Sequence, residues 1–234
     1  MWAFPLVAAL VALAFALLLA RQFAARRRPY QALWALALLM YAIASATIAL
    51  GVWDGWSVTE YKVYWALGAV LNVPFLAQGE IHLLAPRRVP ANALLLLLLF
   101  GTAFAVARIR SSVVDVTALA GDLPSGSEAY DTDPFALTLA RIYSFSGYFV
   151  LLAGTLWSAW RMRGRSDLRD RFTGTLLIAV GATVVAAGSA FAAAGNAPGF
   201  SLTLLAGISV MFWGFLRASR QRATSARDRT SAPR

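Results

Sequence analysis

The chain has 234 residues, of which 59% are hydrophobic and only 14% are charged. An average soluble domain is about 45–50% apolar and about 25% charged, so the composition indicates an integral membrane protein. The chain has no cysteine and one histidine, which excludes disulfides, thiolate-bound zinc, iron–sulfur clusters and multi-histidine metal sites within one chain. We expect neither a metal nor a cofactor.

Seven apolar segments are each long enough to cross about 30 Å of hydrocarbon, which takes roughly 17–25 residues. The sequence therefore predicts an all-α domain over residues 1–216, a bundle of seven transmembrane helices, followed by an arginine-rich tail over residues 217–234 whose end is disordered. The predicted spans are residues 5–20, 31–50, 62–85, 91–107, 135–160, 172–194 and 200–216. The fourth span is apolar on every face and is predicted to face lipid.

Basic residues are distributed unevenly between the connections. Arginines follow the first span, whereas a secretory signal peptide carries its positive charge before the apolar run, so a retained helix is predicted over a cleaved signal. With the N-terminus outside, 17 of the 21 basic residues lie on the inner side. This bias predicts an outer N-terminus and a cytoplasmic C-terminus in a multi-pass protein of the plasma membrane.

The inner arginines also account for the isoelectric point near 11.0. They are expected to contact anionic lipid headgroups, each contributing about 1 kcal/mol near the surface. A nucleic-acid partner is therefore not predicted. On the outer side, residues 108–134 form a long acidic connection that is predicted either to cap the bundle or to be a mobile loop.

The third span carries the densest polar content of any apolar segment. Its unusual residues are Asn72, Pro74, Gln78, Glu80 and His82. A carboxylate inside a membrane helix is costly and is by default a functional-site hypothesis. Pro74 is expected to leave the Val70 carbonyl without its helical hydrogen bond.

A helical wheel places Glu80 and His82 on opposite flanks of the face that carries Asn72, about 160° apart. Glu80 lies about 8 Å from the inner end of the helix. It is predicted either to pair with an interfacial arginine such as Arg87 or to snorkel to the inner interface, or else to form a proton or cation site at the cytoplasmic end of a cavity. His82 is either a packing residue or a ligand-binding residue.

The fifth span has a polar stripe formed by Thr138, Arg141, Ser144, Tyr148 and Thr155. A lipid-facing arginine at the centre of a membrane helix costs about 2.5–3.5 kcal/mol on insertion scales. Arg141 is therefore predicted either to bind an anion or polar headgroup in a pocket under the acidic loop, or to snorkel to the outer interface. Acidic partners considered for it are Glu60, Asp131 and Asp133.

Glycines recur in the last two spans. Gly174, Gly181, Gly188 and Gly195 follow each other at intervals of seven, and Thr203, Gly207 and Gly214 form a similar stripe. Small residues that share one helix face allow two helix backbones to approach closely. The pattern predicts close packing rather than ligand binding.

The layout of seven spans with an outer N-terminus resembles rhodopsins and seven-helix receptors, but the last span lacks the lysine that a retinal Schiff base requires. A retinal-binding function is therefore excluded. The hydrolase, zinc-protease and phosphate-loop motifs GxSxG, HExxH and GxxxxGK[ST] do not occur. The segments RRRPYQALW and WDGW…YKVYWALGAVLNV resemble small polytopic membrane proteins of high-GC bacteria, a resemblance that brings no known function.

The sequence predicts a bundle that binds or transports a small or lipid-like molecule, with no catalytic residues. The candidate ligand-binding residues are Asn72, Glu80, His82, Arg141, Ser144 and Tyr148. The alternative is a non-catalytic receptor-like sensor or a subunit that binds a membrane protein partner through its arginine-rich inner loops. An intramembrane enzyme is the third hypothesis.

Overall fold

The computed structural model describes residues 2–230, with side chains described for residues 2–219. Secondary structure over these residues is entirely helical. Seven helices are long and apolar enough to cross a membrane, which confirms the predicted number of spans and identifies a multi-pass membrane protein. They are α1 (Ala3–Arg26), α2 (Pro29–Asp54), α3 (Val58–Leu84), α4 (Arg88–Ser111), α5 (Pro134–Met162), α6 (Arg169–Ala193) and α7 (Ala197–Thr230).

The helices extend beyond the predicted apolar segments because local signals outside those segments begin and end them. α1 ends at Arg26, and the next residue, Arg27, has φ of 50° and donates its amide to the Phe23 carbonyl at 2.7 Å. Pro29 then begins α2, at a position where a missing amide costs nothing. α7 continues through residue 230, so most of the predicted tail is helical. Residues 231–234, which belong to the end predicted to be disordered, lie outside the described residues.

Six of the helices form a ring in which α1, α2, α3, α5, α6 and α7 each pack against the next, and α7 packs back on α1. The fourth helix lies outside this ring, chiefly against α3. Only 11% of its apolar window is buried within the protein, compared with 56% for α2. The exposed position agrees with the lipid-facing role predicted for it.

Backbone approaches backbone where α6 packs against α7. A Cβ atom at Gly181 would lie 2.6 Å from the Gly207 carbonyl oxygen, and one at Gly174 would lie 2.5 Å from the Gly214 carbonyl oxygen. The close packing predicted from the glycine spacing is therefore present. The fourth glycine of the series differs, because Gly195 has φ of +66° and lies in the turn after α6.

The bundle has two ends, named here by the chain termini. The N-terminal end carries the turn between α2 and α3, the connection of residues 112–133 and the turn between α6 and α7. The C-terminal end carries the turn between α1 and α2, the turn that leads into α4 and the turn between α5 and α6. The long connection is folded against α3: Trp56 Nε1 donates to the Asp122 carbonyl at 3.0 Å, and Lys62 Nζ donates to the Ser112 carbonyl at 2.6 Å. It therefore covers the N-terminal end of α3.

An aromatic cluster fills the space beneath this connection. Its members, whose ring centroids lie 5.2–6.4 Å apart in contacting pairs, are Trp56, Tyr61, Tyr64, Trp65 and Tyr130. Burial raises the pKa of Tyr130 to about 12, so its phenol is neutral at physiological pH. The cluster fixes the first two turns of α3 in place.

Candidate functional site

The third helix is interrupted at mid-length. Residues Trp65–Leu71 form a π-helical segment, after which the Asn72 amide bonds to the Leu67 carbonyl, five residues earlier. Pro74 follows in the α-helical part of the helix and has no amide to donate to the preceding turn. At the same interruption the Ser144 hydroxyl of α5 donates to the Ala69 carbonyl. A donor from another helix therefore satisfies a backbone acceptor where the π turn meets the proline.

Two glycines bring α5 close to the lower half of α3. A Cβ atom at Gly147 would lie 2.9 Å from the Pro74 nitrogen, and one at Gly154 would lie 2.5 Å from Glu80 Cγ. We call this interface the α3–α5 seam. Sequence reasoning missed both glycines, although their spacing of seven is the signal that was used for α6.

Glu80 is buried in the α3–α5 seam and is only 2% exposed. Its carboxyl group lies beside the Ser158 side chain of α5. Among the residues with described side chains, the ion pairs include Arg108–Asp133, Arg165–Asp167 and Arg217–Asp170. Glu80 forms no ion pair within this part of the chain, and the predicted interfacial pair with an arginine is not formed.

Positions along α5 give the depth of Glu80 in the bundle. Arg141 and Arg161 are 20 residues apart, or about 30 Å along the helix axis, which equals the thickness of the hydrocarbon core. Gly154, and with it Glu80, lies about 10 Å from Arg161 and about 20 Å from Arg141. Glu80 is thus about one-third of the way into the membrane from the C-terminal end.

Arg141 lies at the opposite boundary and is exposed. Two of the three acidic side chains considered as its partners are engaged elsewhere: Asp133 pairs with Arg108 at 3.7 Å, and Glu60 accepts from the Ser57 amide at 2.9 Å. This placement favours the snorkelling interpretation of Arg141 over a pocket beneath the loop.

The remaining polar residues of the predicted stripe point to different neighbours. Ser144 reaches α3, whereas the Tyr148 hydroxyl is hydrogen-bonded at 3.0 Å to the Thr183 hydroxyl of α6. Thr138 is exposed and donates to the Pro134 carbonyl of its own helix. The stripe predicted from the helical wheel is therefore divided between two interfaces and the surface.

His82 belongs to the junction between α3 and α4. Its Nδ1 lies 2.9 Å from the Gln78 carbonyl oxygen, and its Nε2 lies 3.2 Å from Asn92 Oδ1. The Gln78 side-chain amide donates to the Ala91 carbonyl at 2.8 Å. His82 and Glu80 therefore face different helices, and they do not form one site.

Asn72 lies directly after the π turn and is 5% exposed. Its Oδ1 atom is buried and has no hydrogen-bond partner within the described part of the chain. A buried acceptor without a partner is rare, and it is a position that a water molecule or a ligand donor would satisfy.

The centre of the ring contains a small apolar cavity of about 20 Å³. It is lined by residues of six helices, including Leu19, Leu38, Leu76, Leu151 and Met211. This volume is enough for about one water molecule, and an apolar cavity of this kind stays dry. The cavity is therefore too small to hold an organic ligand.

Of the six predicted site residues, the structure brings only Glu80 and Ser144 to one interface, the α3–α5 seam. They lie about 15 Å apart along α5, measured from Ser144 to Gly154. Ser158 completes the environment of Glu80. Function has to be argued from this geometry, because comparison of the chain with protein-family models, with curated proteins and with solved structures gives no match.

Proposed function

We propose that this protein binds or transports a small or lipid-like molecule within its helix bundle and that Glu80 gains and loses a proton as it does so. The observation that carries this proposal is the burial of Glu80 in a membrane helix beside one hydroxyl group, without an ion pair among the described residues. A buried charge is stable only when paired, whereas a neutral carboxylic acid needs only hydrogen bonds. A proton is therefore the partner that this environment accommodates most readily.

The interruption of α3 supports the proposal that the part of α3 carrying Glu80 can move. The upper part of the helix is held by the aromatic cluster, whereas Asn72–Leu84, which carries Glu80, follows the π turn and Pro74. π turns and proline are common causes of bends in helices, and π turns are frequent at functional sites. Because the cavity at the centre of the ring is too small for an organic ligand, we propose that ligand access requires the lower part of α3 to move against α5.

We propose that the C-terminal end of the bundle faces the cytoplasm, in accordance with the positive-inside rule. Exposed arginines at this end include Arg87, Arg88, Arg161 and Arg163. They would contact anionic lipid headgroups, and Glu80 would exchange its proton with the cytoplasmic side. This orientation is tested by the accessibility of cysteines introduced at Arg163 and at Gly121 to a membrane-impermeant maleimide in intact cells. Labelling of the Gly121 variant alone is expected, and labelling of the Arg163 variant alone would contradict the orientation.

Replacing Glu80 with glutamine is expected to abolish proton movement by the protein. Glutamine fills nearly the same space and can still contact Ser158, so the fold should survive while the exchangeable proton is lost. The measurement is proton flux into liposomes containing the purified protein and a pH-sensitive dye, under a potassium gradient with valinomycin. We expect the wild-type flux to exceed that of empty liposomes and the Glu80→Gln flux to equal it.

Glu60→Gln is the matched control for this experiment. It makes the same change on the same helix, at the capping position where glutamine also serves, so it should leave the flux unchanged. Wild-type flux at the level of empty liposomes would refute proton transport. Equal flux in Glu80→Gln and wild type would show that Glu80 is not the exchanging group.

A membrane partner is the second candidate function, and the position of α4 favours it. This helix lies outside the ring and exposes a broad apolar face, on which Phe100 is 76% exposed. A photo-crosslinker on a cysteine introduced at Phe100, in a chain that has no other cysteine, should join one discrete protein in native membranes. The same probe on a cysteine introduced at Trp213, which is 62% exposed on α7, should join no discrete protein. Equal labelling at both positions, or lipid adducts alone, would contradict this function.

A further inference from the structure

We propose that the interruption of α3 binds a buried water molecule, which donates one hydrogen bond to Asn72 Oδ1 and the other to a backbone carbonyl of the interruption. The observation that carries this proposal is the state of Asn72. Its side chain is 5% exposed, and its Oδ1 atom is buried without a hydrogen-bond partner in the described part of the chain. The site lies in the middle of α3 and does not depend on the function proposed for Glu80.

The interruption lies inside the hydrocarbon region, where bulk water supplies no donor. Pro74 packs against α5 at Gly147, where a Cβ atom would lie 2.9 Å from the Pro74 nitrogen. Gly147 is six residues beyond Arg141, or about 9 Å into the membrane from the boundary that Arg141 marks. A polar group at this depth needs a partner within the protein or an ordered water molecule.

Backbone acceptors outnumber backbone donors at this point of α3, because Pro74 has no amide. The Ser144 hydroxyl of α5 donates to the Ala69 carbonyl, but its single proton serves only that acceptor. Asn72 Oδ1 is a further acceptor at the same turn. In membrane helices, serine hydroxyls and ordered waters are the groups that satisfy backbone acceptors freed by proline. The serine is already used here, so water is the donor that remains.

The donor at this site must be uncharged and small. α5 has no acidic residue, α2 has none before Asp54, and Glu80 lies eight residues, or about 12 Å, beyond Asn72. A cation at Asn72 would be buried without a charged partner, which is costly. The helices also pack closely here, because a Cβ atom at Gly68 would lie 3.0 Å from Ala44 Cβ of α2. Water meets both conditions, and it forms several hydrogen bonds when buried.

X-ray radiolytic labelling of the full-length protein in detergent micelles tests the site. A bound water molecule under X-rays yields hydroxyl radicals, which oxidise the side chains beside it. The readout is mass spectrometry of Leu71 and Phe75, which lie on either side of Asn72 and are each 2% exposed. After correction for intrinsic reactivity, we expect both to be labelled more strongly than Ile48 of α2, which is also 2% exposed. Equal labelling of the three residues would overturn the proposal.

Asn72→Leu removes the acceptor and nearly keeps the size of the side chain. It should lower the labelling of Leu71 and Phe75 to the level of Ile48. It should also unfold at a dodecyl sulfate fraction no higher than that of wild type, because loss of the water leaves a backbone carbonyl without a donor. Without a bound water, the same change would remove an unsatisfied acceptor and raise that fraction.

Asn92→Leu is the matched control, because it makes the same change at an exposed position of α4. It should leave the labelling of Leu71 and Phe75 at the wild-type level. The proposal is overturned if Asn72→Leu keeps the wild-type labelling, if it unfolds at a higher dodecyl sulfate fraction than wild type, or if Asn92→Leu lowers the labelling equally. If Asn72→Leu does not fold, the comparison with Ile48 in wild type still decides.

Discussion

Substitution of Gly147 by valine is expected to destabilise the bundle by about 3 kcal/mol or more, at the upper end of the cost of overpacking. The Cβ atom would lie 2.9 Å from the Pro74 nitrogen and 3.0 Å from the Val73 carbonyl carbon. Both are backbone atoms, which cannot rotate away as a side chain does. α3 and α5 must therefore separate, and the Ser144 bond to the Ala69 carbonyl is lost with their contact. The measurement is the free energy of unfolding in mixed micelles with increasing dodecyl sulfate.

Gly101→Val is the matched control for this substitution. Gly101 is also a helical glycine, but a Cβ atom there would meet the Tyr143 hydroxyl at 2.5 Å, the free end of a flexible side chain. Tyr143 can tilt aside, so a loss below about 1 kcal/mol is expected, as for a substitution without backbone conflict. Equal losses of unfolding free energy in the two variants would show that replacing any helical glycine has this effect, and that contact across the α3–α5 seam is not its cause. If Gly147→Val had the unfolding free energy of wild type, the close approach of α5 to α3 would be contradicted.

The fold could be predicted from the sequence because the bilayer imposes a simple rule. Each span must be long, apolar and internally hydrogen-bonded, so segment length and hydropathy suffice to count the helices. Packing of α6 on α7 was also predictable, since the two helices are adjacent in sequence and both carry glycine at regular intervals. The packing of α3 on α5 was not, because α4 lies between them in sequence but outside the ring in space.

The depth of Glu80 could be predicted from its position in the span, but its partner could not. A helical wheel gives angles within one helix, whereas Ser158 lies on a helix whose rotation is set by Gly147 and Gly154 against α3. The same limitation explains Arg141, which the wheel groups with Ser144. The two residues differ by 60° around the helix, enough for one to contact α3 and the other to be exposed.

The π turn in α3 has no local signature in the sequence beyond Pro74. Proline indicates that one backbone hydrogen bond is missing, but it does not indicate a π turn before it. That turn is stabilised by a donor from another helix, Ser144, and by the aromatic cluster that fixes the start of α3. The interruption therefore depends on contacts with other helices, and the sequence of α3 alone does not predict it.

Replacement of Gly181 by leucine is expected to have the largest effect on stability, more than about 3 kcal/mol, because it separates two helices along their whole contact. A Cβ atom at Gly181 would lie 2.6 Å from the Gly207 carbonyl oxygen, and the reciprocal distance is 2.7 Å. Any separation there also opens the equivalent pair Gly174 and Gly214, since both pairs lie on one rigid interface. Ala187→Leu, an exposed position on the same helix, adds leucine without conflict and should unfold like wild type in the same micelle assay. Similar unfolding free energies for Gly181→Leu and Ala187→Leu would mean that α6 and α7 are not held together by backbone contact.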